Sequence, residues 1–288
     1  MKLALGTVQF GMNYGIANAT GRVTNDVVRL ILKKAFDLGI DTLDTAVAYG
    51  DCESILGEQG VESCRVISKL QEIPDDCTDV EEWVFTQVKS SLKRLRLQKL
   101  HGLLLHRPGQ LFHTLGPELY NALQMLKKKG LVNKVGVSIY DASELTAIWP
   151  NYTFDLVQAP LNILDRRFID SGWAFKLKNA GVEIHTRSAF LQGLLLIPSH
   201  KRPAQFKPWQ AIWDEWDRWL SVTGYSPLQA CLRYVVGVDY IDRVIVGVDS
   251  IQQFDEIVQS ATGSLESLPV FEVLSDDRLL NPATWSEL

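Results

Sequence analysis

Short apolar segments rich in β-branched residues alternate along the chain with stretches in which apolar residues recur at helical spacing. This alternation is typical of repeated strand–helix units that build a parallel sheet. We predict eight strands, at Leu3–Gly6, Thr42–Asp44, Val66–Lys69, Gly102–Leu105, Lys134–Ser138, Leu156–Gln158, Glu183–Arg187 and Arg243–Val246. Eight such units close most simply into an α/β fold of the (β/α)8 or TIM barrel type, with catalytic groups at the carboxyl ends of the strands. An open doubly wound sheet is the main alternative, but no Gly-x-Gly-x-x-Gly follows the first strand.

Helix starts and stops agree with this order of elements. Residues 25–38 place apolar side chains on one face, and Gly39 is typical of a helix end. Pairs with N-cap and N3 spacing predict further helix starts at Thr78 with Glu81, Asp141 with Glu144, Ser250 with Gln253, and Ser226 before Pro227.

One stretch, from Ile197 to Thr223, is longer than an ordinary strand–helix connection and contains three prolines. We predict one domain over residues 1–288, with an extended loop and helix insertion at about 197–223 and a C-terminal tail. Within the insertion, Trp209, Trp213, Trp216 and Leu220 recur at helical spacing and indicate a stripe that faces the core.

Composition narrows the class of protein. The chain has 288 residues and a formal net charge of -5, which argues against nucleic acid as a partner. We expect a cytoplasmic protein without a membrane segment, because no signal peptide and no long apolar run is present. The four cysteines, Cys52, Cys64, Cys77 and Cys231, have neither metal-ligand nor disulfide-framework spacing, so no metal is expected.

Candidate chemistry lies at or just past the ends of three successive predicted strands, at Asp44, Tyr49, Lys69 and His106. A tyrosine becomes a useful general acid near neutral pH if a cation lowers its pKa from about 10. Lys69 could supply that cation, and His106 could hold a substrate oxygen as a neutral hydrogen-bond donor. Each residue alone also has a structural interpretation, as a helix cap, a solvated charge or a core-edge aromatic.

Several motifs follow one another along the chain as Leu5-Gly-Thr-Val-Gln-Phe-Gly11, Asp41-Thr-Leu-Asp-Thr-Ala-x-x-Tyr-Gly50, Ser68-Lys69, Leu104-Leu-His-x-Pro108, Gly136-Val-Ser138 and Gln158-x-x-x-Asn162. In this order they resemble the aldo-keto reductase superfamily. Two further segments, Ser188-Ala-Phe-Leu-Gln-Gly-Leu-Leu195 and Arg243-Val-Ile-Val-Gly-Val-Asp-Ser250, resemble its bacterial members. The resemblance implies a (β/α)8 barrel that binds a nicotinamide cofactor without a Rossmann domain. It implies that Tyr49 protonates a carbonyl oxygen during hydride transfer, with Lys69 stabilising the tyrosinate, Asp44 holding Lys69 and His106 orienting the carbonyl.

The resemblance also implies a cofactor site. Its predicted residues are Gly6, Thr7, Asp44, Ser138, Gln158, Arg187, Ser188, Gly247, Asp249, Ser250 and Gln253. NADPH is the family default and is preferred here over NADH. However, Asp249 would repel a 2′-phosphate, and residues 247–256 contain no lysine or arginine. A basic residue from Lys201 or Arg202 could replace that contact.

The predicted substrate site consists of Asn13, Tyr14, Tyr49 and His106, with Cys52, Arg107 and Trp285 as further candidates. Its aromatic and polar side chains suit a small-molecule carbonyl such as a sugar-like or aromatic aldehyde. Three functions follow from these residues: an NAD(P)H-dependent reductase, a non-enzymatic nicotinamide-binding regulatory subunit, and a barrel isomerase or lyase that uses Lys69 and His106. His101, His113, His185 and His200 form no ligand-like group and are predicted to be structural or exposed.

Overall fold

Eight parallel strands form a closed barrel in the computed structural model, which describes residues 1–16, 18, 21–271 and 276–287. The strands are β1 Leu3–Gly6, β2 Thr42–Asp44, β3 Arg65–Leu70, β4 Leu100–Leu105, β5 Val132–Ser138, β6 Leu156–Pro160, β7 Glu183–Arg187 and β8 Arg243–Gly247. Each strand pairs with the next one in sequence, and β1 closes the barrel by pairing with β8. The predicted fold is confirmed, and so are all eight predicted strands.

Helices surround the barrel. They are α1 Val8–Gly11, α2 Asn25–Asp37, α3 Cys52–Gln59, α4 Val80–Leu95, α5 Gly116–Lys128, α6 Ala142–Ile148, α7 Arg167–Asp170, α8 Trp173–Asn179, α9 Gln210–Thr223, α10 Pro227–Gly237, α11 Ile251–Ser260 and α12 Asp277–Leu280. Short 3-10 segments occupy Pro108–Phe112, Leu191–Leu196, Ser199–Lys201, Ala204–Trp209 and Pro282–Glu287. Within the described residues, no helix has both the length and the apolar character needed to span a bilayer.

Most predicted helix starts are confirmed by their hydrogen bonds. Asp141 and Ser226 form capping boxes with Glu144 and Gln229, and Ser250 caps α11. The predicted cap at Thr78 is wrong, because the side chain of Asp79 accepts the hydrogen bond from the backbone N–H of Glu82 at the start of α4. The carboxylate suits the positive end of the helix at least as well as a threonine hydroxyl would.

Two main apolar clusters stabilise the molecule. The larger one fills the layer between the barrel and its helices, and a small cluster of Ile67, Leu104 and Leu156 lies apart from it. The second large cluster lies around α9, where Trp209, Trp213 and Trp216 are buried as the helical spacing predicts. The stretch at 197–223 is therefore irregular only in its first half, because its second half is the regular helix α9.

Candidate active site

The four candidate catalytic side chains meet at the carboxyl end of the barrel. Asp44 ends β2, Lys69 is the second-last residue of β3, and His106 directly follows β4. Because β2, β3 and β4 are neighbours in the sheet, their carboxyl ends lie side by side. Tyr49 lies in the turn between β2 and α3. The structure thus brings together all four residues of the predicted set.

Lys69 is the centre of the hydrogen-bond network. Its Nζ donates to Asp44 Oδ2 at 2.6 Å, to the Thr45 carbonyl oxygen at 3.1 Å and to Tyr49 Oη at 3.4 Å. The Lys69 side chain is only 1% exposed, so its charge is shielded little by water. A buried ammonium needs an ionised partner and satisfied protons, and these three acceptors provide both.

Burial and charge act in opposite directions on Tyr49 and Lys69. Burial raises the pKa of Tyr49 above its ordinary value, and the nearby Lys69 charge only partly offsets that rise. Burial alone would lower the pKa of Lys69, but attraction to Asp44 outweighs it and leaves the pKa raised. The sequence predicted a net lowering for Tyr49. The structure instead gives a protonated phenol at neutral pH with a permanent cation beside it.

His106 completes the group as a neutral imidazole. Burial, followed by the charges of Lys69 and Arg187, lowers its pKa to about 4. Its ring lies edge-on to the ring of Tyr49, with 6.3 Å between the ring centroids. A neutral imidazole beside the phenol can donate a hydrogen bond to an oxygen without adding a second positive charge.

Ser138 and Gln158 extend the network beneath Asp44. They are paired across β5 and β6, and Ser138 Oγ donates to Gln158 Oε1 at 3.2 Å. Gln158 Nε2 donates in turn to Asp44 Oδ1 at 2.7 Å. Both side chains are buried, and Gln158 satisfies the carboxylate oxygen of Asp44 that does not accept from Lys69.

A cavity of about 340 Å³ is lined by Asp44 and Tyr49 of the four residues, whereas Lys69, His106, Ser138 and Gln158 are not among its lining residues. Its lining includes ten of the predicted site residues, namely Gly6, Thr7, Tyr14, Asp44, Tyr49, Arg187, Ser188, Gly247, Asp249 and Gln253. It also includes residues that the sequence argument missed, among them Gln9, Asn18, Phe190, Gln192, Gly193 and Glu256. The cavity therefore joins the catalytic group to the start of α11.

Other predicted residues lie outside the cavity lining. Ser250 caps α11, and Asn13 is exposed on the first loop. Cys52 is buried and donates to the carbonyl oxygen of Thr7, so it supports the floor of the site. Trp285 packs in the second apolar cluster and donates to the Leu279 carbonyl oxygen. Cys52 and Trp285 are thus structural, contrary to their suggested substrate contact.

The cavity has features that suit an extended polar ligand. Gln9 Oε1 is buried and has no hydrogen-bond partner among the described residues, although Gln9 lines the cavity. A Cβ atom added at Gly247 would lie only 2.5 Å from Gln9 Nε2, so glycine at this position lets the Gln9 side chain pack against the end of β8. The unsatisfied oxygen of Gln9 is an acceptor for a hydrogen-bond donor of a polar ligand in the cavity.

Gly11 is a further residue that sequence reasoning did not assign. A Cβ atom there would lie 1.8 Å from the Tyr49 carbonyl oxygen and 2.9 Å from the Cys52 backbone nitrogen. The close approach of α1 to this turn thus requires glycine, and it fixes the backbone that carries the phenol. The opening motif ending in Gly11 was a signal that could have identified this contact.

The other four histidines either lie beside Glu183 or are exposed. Nε2 of His185 lies 2.8 Å from Glu183 Oε1, and Nε2 of His101 lies 3.4 Å from Glu183 Oε2. His113 and His200 are exposed. In the part of the chain that the structure describes, no group of three or more acidic, histidine or cysteine side chains could hold a metal ion.

Comparison with known proteins places this geometry in context. Residues 2–267 match the model of the Aldo/keto reductase family. L-galactose dehydrogenase of Arabidopsis thaliana is 26% identical over 308 aligned residues, covering 98% of this chain and 94% of the plant protein. Methylglyoxal reductase of Salmonella typhi is 31% identical over 121 residues, covering 41% of this chain and 45% of that protein. The match therefore spans less than half of the length of methylglyoxal reductase. An uncharacterized oxidoreductase of Schizosaccharomyces pombe is 32% identical to this chain over an aligned segment that covers 43% of the yeast protein.

A solved structure shares the architecture. The holo form of an aldo-keto reductase from Bacillus halodurans superimposes with a TM-score of 0.71 and 21% sequence identity, covering 94% of this chain and 88% of that one. At this identity the similarity concerns the fold.

Proposed function

The chain belongs to the aldo/keto reductase family, and from this premise we propose that it reduces an aldehyde or ketone to an alcohol with NAD(P)H. One observation carries the proposal: the buried Lys69 ammonium lies between the Asp44 carboxylate and the Tyr49 hydroxyl. A phenol next to a fixed cation can release its proton and have the resulting negative charge stabilised in place. The proposed catalytic residues are Asp44, Tyr49, Lys69 and His106.

In the proposed reaction, a reduced nicotinamide, when bound, would supply the hydride for the new C–H bond at the carbonyl carbon. Tyr49 donates its proton to the carbonyl oxygen, which becomes the alcohol oxygen. Lys69 stabilises the phenolate left on Tyr49, and Asp44 keeps the ammonium charged and fixed. His106, neutral because its pKa is about 4, orients the carbonyl oxygen before transfer.

We propose that the dinucleotide lies along the cavity and contacts the lining residues Gly6, Thr7, Arg187, Ser188, Gly247, Asp249 and Gln253. Ser138 and Gln158 are proposed to hold the carboxamide. They are hydrogen-bonded to each other, and Gln158 also donates to Asp44. To bind a ligand, the Gln158 side chain would therefore have to replace one of these hydrogen bonds with a hydrogen bond to the ligand. The unsatisfied Gln9 Oε1 is an additional acceptor for the cofactor.

Preference between the two nicotinamide cofactors depends on the charges that line the cavity. The expectation that NADPH is favoured stays a prediction, and two carboxylates weigh against it. Asp249 and Glu256 line the cavity near α11, whereas Arg187 is the single basic side chain among the described lining residues. Arg202, a suggested phosphate ligand, pairs with Asp217 and is not among those lining residues.

The proposed substrate is a small carbonyl compound, sugar-related ones included. Support comes from the names of two similar proteins, L-galactose dehydrogenase and methylglyoxal reductase, whose substrates are a sugar and a small carbonyl compound. Tyr14, at the mouth of the cavity, accepts a hydrogen bond from Gln192 Nε2 at 3.3 Å and is proposed to contact the substrate.

The test is a titration of the purified protein with NADPH and NADH by tryptophan fluorescence, followed by a panel of aldehydes and sugar aldehydes in the same cuvette. Oxidation of the nucleotide by the wild type, reduced by about 10²-fold or more in Tyr49→Phe with unchanged nucleotide affinity, is expected. Binding without turnover would support the regulatory subunit instead. If neither nucleotide binds, the reductase proposal is wrong and the isomerase or lyase alternative gains support.

A further inference from the structure

Two arginines at the catalytic end of the barrel face one aromatic ring. Arg107 follows His106 directly after β4, and Arg187 is the last residue of β7. The guanidinium carbon of Arg107 lies 5.4 Å from the centre of the Tyr140 ring, and that of Arg187 lies 4.7 Å from it. Tyr140 follows β5 by two residues, so three separate strands bring these side chains together.

Among the described residues, neither guanidinium group has an acidic partner within ion-pair distance. Arg187 donates to the Ile139 carbonyl oxygen at 2.9 Å and to Ser188 Oγ at 3.2 Å, both of which are neutral. None of the ion pairs formed between described residues includes Arg107 or Arg187. The Tyr140 ring attracts each cation through its face, but it does not neutralise either charge.

These charges act on the catalytic residues. After burial and the charge of Lys69, Arg187 and Arg107 both contribute to the lowered pKa of His106. The positive potential at this end of the cavity therefore has three sources, of which only Lys69 is compensated by a carboxylate. An anion bound near the two arginines would relieve their mutual repulsion and gain charge-assisted hydrogen bonds.

We propose that Arg107 and Arg187 bind an anionic group of the substrate, a carboxylate or a phosphate, so that the enzyme prefers carbonyl compounds that carry a negative charge. The inference rests on the proposed reductase function and specifies its substrate class. The phosphates of a dinucleotide are the other source of the same chemistry. A substrate anion fits better, because Arg107 directly follows His106, which is proposed to orient the substrate carbonyl, and lies outside the lining of the cavity proposed for the dinucleotide. Arg187 lines that cavity and also faces Tyr140, so it can contact both the dinucleotide and the substrate anion.

The test compares 4-carboxybenzaldehyde with its methyl ester, which has a similarly activated aldehyde but no charge. For the wild type we expect kcat/KM to be about tenfold or more higher for the carboxylate. Arg107→Gln and Arg187→Gln should each remove most of that preference. Arg107→Lys, which keeps the charge, should retain part of it. Arg218→Gln is the matched control, because Arg218 is exposed and pairs only with Glu215.

A second measurement does not depend on turnover. Calorimetric titration of wild type and Arg107→Gln with 4-(hydroxymethyl)benzoate, with and without nucleotide, measures binding of the anion directly. Arg107-dependent binding supports the anion site even if no aldehyde is reduced, in which case only the reductase function fails. Equal kcat/KM for the acid and the ester, or binding that is unchanged in Arg107→Gln, would overturn the proposal. So would a fall in nucleotide affinity in Arg107→Gln with the carboxylate preference unchanged, since that outcome assigns the guanidinium to a cofactor phosphate.

Discussion

At the scale of single residues, the site depends on a buried lysine whose ammonium group is fixed by hydrogen bonds. Lys69 is almost completely buried, and its three acceptors come from Asp44, Thr45 and Tyr49. The Asp44 carboxylate is satisfied on both oxygens, by Lys69 on one and by Gln158 on the other. A charge fixed in this way needs little reorganisation when charge develops on the phenol.

The Lys69–Asp44 pair leads to a stability prediction. Lys69→Met leaves the Asp44 carboxylate buried without a counter-charge, so we expect a loss of about 3 kcal/mol in the free energy of unfolding. The double variant Lys69→Met with Asp44→Asn removes both charges and should recover part of that loss. Urea unfolding of the wild type, the single variants Lys69→Met and Asp44→Asn, and the double variant measures the coupling. A double variant that is less stable than Lys69→Met alone would contradict this account.

His106 gives a pH prediction. Its pKa in the folded protein is about 4, below the ordinary 6.5, so the unfolded chain binds more protons between those values. The contribution of the neutral His106 side chain to the free energy of unfolding is therefore fully present above about pH 6.5, and it is lost as the pH falls toward 4. We expect wild type to lose roughly 2 kcal/mol more stability than His106→Gln between pH 7 and pH 4.5. Equal pH dependence of urea unfolding in the two proteins would refute the shift.

At the scale of elements, the order of the strands brings the catalytic side chains together. Neighbouring strands β2, β3 and β4 deliver Asp44, Lys69 and His106, while Tyr49 depends on the turn before α3. That turn is fixed by contact with α1, where Gly11 approaches the Tyr49 backbone too closely for any Cβ atom. The geometry of the phenol thus depends on a four-residue helix that carries none of the four proposed catalytic groups.

Gly11→Ala tests this contact. The added methyl must displace the Tyr49 turn, so we expect at least a tenfold loss of kcat with smaller effects on nucleotide affinity. Gly237→Ala is the matched control, since nothing lies within 4 Å of its added Cβ atom. Circular dichroism of both variants checks that the barrel persists. Unchanged kcat in Gly11→Ala would show that the turn adapts without cost.

Much of this architecture could be predicted from local sequence signals. The strands are short and apolar, and caps such as Asp141 and Ser226 were recognisable because they act within four residues. The lining residues Phe190, Gln192 and Gly193 were not predicted, because they lie in or directly before a 3-10 segment whose backbone turns at Leu191 and Gln192 with φ of 48° and 51°. Neither residue is of a type that signals a left-handed conformation, so tertiary packing determines it.

The cap at Thr78 illustrates a different limit. Thr78 and Asp79 are adjacent candidates, and each has a glutamate three residues later. Spacing alone does not choose between them. The choice depends on where α4 packs against its neighbours, because the buried face of the helix sets its first residue.

At the scale of the whole molecule, the barrel core and the cluster around α9 meet beside the cavity. Phe190 packs against both clusters and also lines the cavity. Leu196 lines the cavity and packs on the second cluster. The buried tryptophans of α9 therefore belong to the cluster that packs against one wall of the cavity. We expect a change in the packing of this cluster to alter ligand binding.

Ligand binding should accordingly stabilise the entire fold. At a free nucleotide concentration of 100 times Kd, binding to the folded state alone adds about 2.7 kcal/mol. For a domain of this size we expect the preferred cofactor to raise Tm by several degrees. Differential scanning fluorimetry with NADH, NADPH and adenosine measures the effect. No shift with either dinucleotide at saturating concentration would contradict binding at the cavity.

The pairing of β1 with β8 has a consequence for how the protein is made. Arg243–Gly247 is synthesised more than two hundred residues after its partner Leu3–Gly6. Until then one edge of the nascent sheet stays open and able to pair wrongly. Gly6 and Gly247, partners across that seam, both line the cavity. A nucleotide bound as proposed would contact both strands of this pair and would stabilise the closure of the barrel.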